Sequence, residues 1–236
     1  MALQKNSREV ALDADLSAIL LTAKLATATS IILMLIAVPL AWKLSRWKHK
    51  AKHWVLAVVA LPLVLPPTVL GFYLLVVFSP NAIGGQLWQA LVGEQLAFSF
   101  AGLVAGSVVY SLPFAVQPLY ASFIQLDSRY IDVARTLGMS KWSCFRRIVM
   151  PICKPAFVVA LGLSFAHTVG EFGVVLMIGG NIPGETQVLS IALFEHVEAL
   201  DYSRAHLLAF GLLIFSFVMM GLMYRFNRNG VSAWKS

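Results

Sequence analysis

Asp127-Ser128-Arg129-Tyr130-Ile131-Asp132-Val133-Ala134-Arg135-Thr136-Leu137-Gly138-Met139-Ser140-Lys141-Trp142, continuing through Arg146-Arg147-Ile148-Val149-Met150-Pro151, separates two long apolar stretches. It is too long and too patterned for a plain connector. Asp127 or Ser128 suits a helix N-cap, Gly138 suits the left-handed residue that ends a helix, and Ser140 suits the cap of a second short helix reaching Ile148. Pro151 and Pro155 fit the first turn of the next helix, where a missing N–H leaves no bond unmade. The reading is a short helix, a glycine turn and another short helix, lying against a membrane surface. Ala134 and Gly138, four apart, are expected to leave a low patch flanked by Arg135 and Leu137. Such a patch fits a groove on another protein or an amphipathic interfacial helix with no partner.

The rest of the chain supplies the membrane. Of its 236 residues 59% are hydrophobic and 12% charged, and mean hydropathy is +0.79; a soluble domain carries about a quarter charged residues. Five stretches reach the roughly 20 helical residues that cross a hydrocarbon core of ~30 Å: 17–41, 54–78, 97–120, 155–179 and 205–224. The expected fold is an all-α integral membrane protein of about five, possibly six, transmembrane helices, forming one domain over 1–236.

The excess of 18 Lys+Arg over 11 Asp+Glu is decided by placement. Lys43, Arg46, Lys48, Lys50 and Lys52 follow the first span, and Arg129, Arg135, Lys141, Arg146, Arg147 and Lys154 follow the third. Arg225, Arg228 and Lys235 follow the fifth, so fourteen of the eighteen fall on one side. The loop at 79–96 has none. The positive-inside rule puts the rich loops in the cytoplasm, the N-terminus outside and the C-terminus inside. Basicity is thus a topology signal, with no nucleic-acid partner expected. The acidic residues Glu9, Asp13 and Asp15 before the first span argue against a cleaved signal peptide. Cys144 and Cys153 lack metal-ligand spacing and read as packing residues.

Leu61-Pro62-Leu63-Val64-Leu65-Pro66-Pro67 puts three prolines inside the second span, which must kink or break; the alternatives are an ordinary kink and a broken helix beside a pathway, where freed carbonyls find partners. Pro113 and Pro118 repeat the theme in the third span. Gly102-x-x-x-Gly106 there indicates close helix packing, within the chain or across a dimer. No internal repeat of the kind common in secondary transporters stands out.

With these features on the page, Asp132-Val133-Ala134-x3-Gly138-x9-Ile148-x-Met150-Pro151 resembles the E-A-A-x3-G-x9-I-x-L-P loop of ABC-importer permeases, with matching spacing and with Asp132, Val133 and Met150 replacing Glu, Ala and Leu. In that family the loop is a coupling helix docked on a cytoplasmic ATPase. The resemblance therefore implies that 127–151 is such a loop, with this role for Asp132, Val133, Ala134, Arg135, Gly138, Ile148 and Pro151. Leu61 to Gly71, Val169-Gly170-Glu171-Phe172-Gly173 and Gly180-Asn181-Ile182-Pro183-Gly184-Glu185-Thr186-Gln187 look like the molybdate permease group, with sulfate and tungstate permeases as relatives. The resemblance implies an inner-membrane subunit that translocates a tetrahedral oxyanion, most of all molybdate, by alternating access. Its implied partners are a cytoplasmic ABC ATPase dimer, a second permease copy and an extracytoplasmic oxyanion-binding protein.

Glu171 is the one acidic residue within a predicted span, and a carboxylate in hydrocarbon marks a functional position. A bare carboxylate repels an oxyanion, so Glu171 is expected to brace the Gly170–Gly173 backbone or a gate. Pathway or gate candidates are Pro66, Pro67, Gly170, Glu171, Gly173, Asn181, Pro183, Gly184 and Thr186. His167, one turn before Glu171, is expected to hydrogen-bond it, and two ligands do not make a metal site. Residues 181–187 read as a re-entrant or outer-surface feature and Thr186 to Leu200 as an amphipathic helix whose N-terminus suits an anion. No G-x-x-x-x-G-K-[ST] phosphate loop is present. ATP and Mg are then used by a partner ATPase, and no catalytic residue, metal or cofactor is expected here. An ATP-independent secondary anion carrier remains the alternative class.

Overall fold

The computed structural model describes the backbone of residues 2–232 and the side-chain surroundings of residues 13–226. The charges of Lys5, Arg8, Glu9, Arg228 and Lys235 lie outside those surroundings. Every regular element among the described residues is helical, and three helices are long and apolar enough to cross a membrane, or five if each of two bent pairs is one span.

The first span lies within α1 (Ala2–Arg46), whose apolar portion runs over Asp13–Arg46. The third is α5 (Phe100–Gln125), started by Ser99, whose Oγ accepts from Gly102 N at 3.1 Å. Pro113 and Pro118 sit inside α5 without interrupting it. The second span does break. Helix α2 (Lys52–Ala60) passes through a 3-10 turn at Leu61–Leu63, and α3 (Pro67–Phe78) then leaves at 108°. Pro66 adopts ψ 136°, because a residue before proline is forced out of the helical region.

After α4 (Ile83–Val92) and α5 come α6 (Ser128–Thr136) and α7 (Lys141–Cys144). The second short helix does not stop at Ile148: α7 continues through a π turn at Phe145–Val149 into α8 (Met150–Ile152). Pro151 belongs to the start of α8, and Pro155 to the first turn of α9 (Lys154–Gly170), which departs at 76°. The fourth predicted span, 155–179, is divided into α9 and α10 (Gly173–Gly179) by extended backbone at Glu171. Next come α11 (Leu189–Glu198) and α12 (Tyr202–Ser232).

Helices α1, α5 and α9 pack on one another around Leu33, Ala37, Val116, Leu119 and Ala160. The basic loops gather at one end of this bundle. Lys52 Nζ lies 5.1 Å from the Tyr120 ring centre, Arg46 lies over Trp42, and Trp42 meets Phe145 edge-on. Toward the opposite end, α3 and α10 run side by side and α10 packs on α5. The glycine pair explains the approach: a Cβ on Gly106 would strike the Ile178 side chain, and one on Gly102 the carbonyl of Leu96. Close packing at this pair is within the chain.

Residues 181–188 do not stay at the far end. The turn after α10 reverses the chain so that Leu189 N donates to Thr22 Oγ1 at 2.8 Å and Ser190 Oγ donates to the Glu171 carbonyl. Helix α11 then climbs back along α1, from Thr22 to Asp15, whose Oδ1 lies 2.8 Å from His196 Nε2. The expected amphipathic helix over Thr186 to Leu200 is therefore shorter, and Leu189 to Ala192 are buried against α1 and α12.

Candidate functional site

The two helix breaks meet. A recess of about 560 Å³ is lined by Pro67 and Thr68 at the start of α3, Tyr110 on α5, His167 and Glu171 at the end of α9, and Gly173 at the start of α10. Tyr110 lies ten residues into α5 and His167 thirteen residues into α9, so the recess sits roughly 15 to 20 Å from either helix start, near mid-depth. Prolines build one wall because they end a helix where they start another. Gly173 builds the contact between walls, since a Cβ there would fall 2.7 Å from Pro67 Cβ.

Glu171 is 5% exposed. Its side chain turns back on the chain, and Oε1 accepts from Val174 N at 2.7 Å. A carboxylate at the first turn satisfies N–H groups that have no helical partner and offsets the positive helix end. Its main-chain carbonyl is held by Ser190, so both ends of the residue are fixed.

His167 does not bond to Glu171, in contrast with the expectation from their spacing. Its ring stacks on Phe114 at 4.1 Å and leans on Tyr110 at 4.7 Å, which turns Nδ1 toward Ser111 Oγ at 2.8 Å. Ser111 Oγ also lies 3.3 Å from Thr168 Oγ1, which donates to the Ser164 carbonyl at 2.9 Å. A carbonyl only accepts, so the one proton arrangement that satisfies all three contacts has Ser111 donating to Thr168 and His167 Nδ1–H donating to Ser111. Neutral His167 is then left with a bare lone pair on Nε2. No group of three or more metal-ligating side chains occurs among the described residues.

Of the pathway candidates, Pro67, Gly170, Glu171 and Gly173 line the recess, and Pro66 immediately precedes it. Asn181, Pro183, Gly184 and Thr186 do not. They form the turn where α10 reverses: Gly184 has φ +80°, Thr186 Oγ1 donates to Gly179 O at 2.7 Å and accepts from Ile182 N at 3.1 Å. Asn181 and Gln187 both donate to Glu195. Thr68, Tyr110, Ser111 and Phe114 were not singled out by spacing. The available signal was Ser107, Tyr110, Ser111 and Phe114 at helical intervals in an apolar span, a polar and aromatic stripe.

At the basic end, Asp127 caps α6, with Oδ1 accepting from Arg129 N at 2.9 Å and Oδ2 from Arg129 Nε at 2.8 Å. These bonds hold the Asp127 carboxyl below its ordinary range. Gly138 takes φ +76° and Met139 N closes on Ala134 O at 3.0 Å, a helix end that needs a left-handed residue. One expectation is corrected. Ala134 is 1% exposed, so it faces the body of its own chain and takes no part in an open patch with Gly138. Its small side chain lets α6 lie close. The exposed ridge is Tyr130, Val133 and Leu137, bordered by exposed Asp132 and Arg135, with Ile148 half-buried and Pro151 exposed.

Residues 33–229 match the family of binding-protein-dependent transport system inner membrane components. The chain belongs to this family of transport permeases. This permease is 51% identical over 214 residues to the molybdenum transport system permease protein ModB of Azotobacter vinelandii, covering 91% of this chain and 95% of that one. It is 32% identical over 196 residues to the sulfate transport system permease protein CysT of Escherichia coli K12, covering 81% and 70%. Among solved structures, its fold is similar to a chain of a bacterial alginate ABC transporter in complex with an alginate pentasaccharide-bound periplasmic protein, with TM-score 0.72 at 16% identity, covering 91% of this chain and 78% of that one. The permease is thus a multi-pass membrane subunit of the ABC transporter class.

Proposed function

We propose that this permease moves a tetrahedral oxyanion, molybdate, into the cytoplasm as one of two copies around a shared pathway. The observation that carries this reading is the mid-depth recess at two helix breaks, joined to 51% identity with a molybdenum transport permease. A dianion needs donors and positive dipole ends. The start of α3 and two hydroxyl-bearing residues, Thr68 and Tyr110, border the recess, and helix N-termini favour anions. The one carboxylate, Glu171, is spent on Val174 N.

The energy comes from a separate ATPase that hydrolyses Mg-bound ATP, since the chain has no phosphate loop; the permease itself is not an enzyme and holds no cofactor. The ridge Tyr130, Val133 and Leu137 with Asp132 and Arg135 docks on that subunit, and 127–151 passes its motion through α7, α8 and α9 to the recess. The basic end faces the cytoplasm, in the inner membrane, and the far end receives the anion from a binding protein.

Sulfate is a second reading because of the similarity to CysT, and tungstate shares the same shape and charge. Reconstituting the permease with its ATPase and binding protein, and measuring ATP-driven uptake of labelled molybdate against excess tungstate or sulfate, tests all three. Molybdate uptake resistant to sulfate is expected. Uptake by the permease alone without ATP overturns the reading in favour of a secondary carrier.

A further inference from the structure

A second hollow lies away from the recess, at the basic end. It is a groove of about 820 Å³ between α1 and the α7–α9 segment. Its walls are apolar, and its charged lining residues are Lys141 and Lys154, at the starts of α7 and α9. No acidic residue lines it. Neither lysine makes an ion pair among the described residues. Just beyond them, the Arg46 guanidinium sits 3.4 Å from the Trp42 ring centre, adding a third cation near the mouth.

The dimensions are those of one leaflet. On α1 the groove runs from Met34 to Trp42, eight residues or roughly 12 Å of rise, against about 15 Å for half of a hydrocarbon core. Trp42, edge-on to Phe145 at 5.1 Å, and Trp142, stacked on Phe145 at 6.1 Å, make an aromatic floor at the charged end. Aromatic residues of this kind settle at headgroup depth. Leu35 and Leu161, 71% and 45% exposed, open the apolar part sideways to the bilayer.

A slot that is apolar along its length, open to lipid and cationic only at its mouth is complementary to an amphiphile with a negative head. A zwitterionic head would bring its own cation against two uncompensated lysines. We infer that this groove binds an anionic phospholipid, one acyl chain lying along Leu35 and Leu161 and the phosphate between Lys141 and Lys154. Trp142 and Phe145 belong to the segment that joins α6 to α9, so the bound lipid buttresses the link between the docking ridge and the recess.

Native mass spectrometry of the full-length permease, released from nanodiscs of equal phosphatidylglycerol and phosphatidylcholine, reads the site directly. Wild type is expected to retain phosphatidylglycerol preferentially. Lys141→Gln with Lys154→Gln is expected to lower that preference on the order of tenfold, and Lys141→Arg with Lys154→Arg to keep it. Leu35→Trp, at an exposed position, fills the groove without touching charge and is expected to reduce retention of both lipids while leaving the melting temperature unchanged. Equal retention of the two lipids by wild type overturns the inference. So does an unaltered preference in the Gln variant, undiminished retention in Leu35→Trp, or efficient disulfide crosslinking through a cysteine at position 35 to a second copy, which would make protein the occupant.

Discussion

Glu171 shows how a charged side chain is made tolerable within a membrane span. Its oxygen meets Val174 N and its carbonyl meets Ser190, so the residue splices two helices and leaves little of its charge to the recess. Glu171→Ala frees the α10 N-terminus. The expected loss is about 0.5–2 kcal/mol of stability, the range for removing a cap, with uptake reduced on the order of tenfold, read by thermal melting and by vesicle uptake. Glu171→Gln keeps an acceptor but not the stronger charge-assisted bond and is expected to fall between; full uptake and stability in that variant would defeat the bracing role. Ser111→Ala removes the acceptor that fixes His167 Nδ1–H. Uptake is expected to fall several-fold, while Ser111→Thr, which keeps the hydroxyl, is expected to retain most of it. Asp127 gives the pH sign. Its lowered pKa means that capping of α6 is fully present above the ordinary carboxylate value of about 3.9 and is lost only as pH falls through the lowered value. Asp127→Asn and wild type should therefore show the same flat stability profile between pH 5 and 8.

Helical elements here are defined as much by where they stop as by where they run. Gly71 seats α3 against α10; a Cβ there would lie 2.8 Å from Met177 Cβ and 3.2 Å from the Val174 backbone. Gly71→Leu should part the two half-helices at about 1–3 kcal/mol, the usual range for overpacking, and enlarge the recess, detectable as faster alkylation of a cysteine placed at Thr68. The first, third and fifth spans, an interruption at Leu61 to Pro67 that could be a kink or a break, and the Gly138 turn were legible because apolar length, proline and glycine act locally. The descent of 181–188 was not, because it rests on Leu189 meeting Thr22, 167 residues away. The burial of Ala134 escaped for a similar reason: helical spacing says which residues share a face, but not which face meets the body.

At the scale of the whole molecule, the proposed docking on an ATPase rests on fourteen basic residues on one side of the predicted topology and on the exposed apolar ridge on α6. Val133→Asp or Leu137→Asp should leave folding unchanged, since the side chains are 58% and 76% exposed, while severing ATP hydrolysis from uptake in the reconstituted complex. A drop in melting temperature alongside that loss would point instead to a packing role. The family was readable from the loop spacing because that pattern lies along one short segment. The recess was only half readable because it is assembled from α3, α5, α9 and α10, and long-range assembly leaves no fixed interval in the chain.

The break before α3 and the break before α10 border one recess, and the two segments beyond them are packed together. Both therefore share a single crease. Helices α1 and α5 cross that level uninterrupted and stand as a frame, whereas α3 and α10 form a leaf beyond the crease, held to the frame where Ile178 meets Gly106.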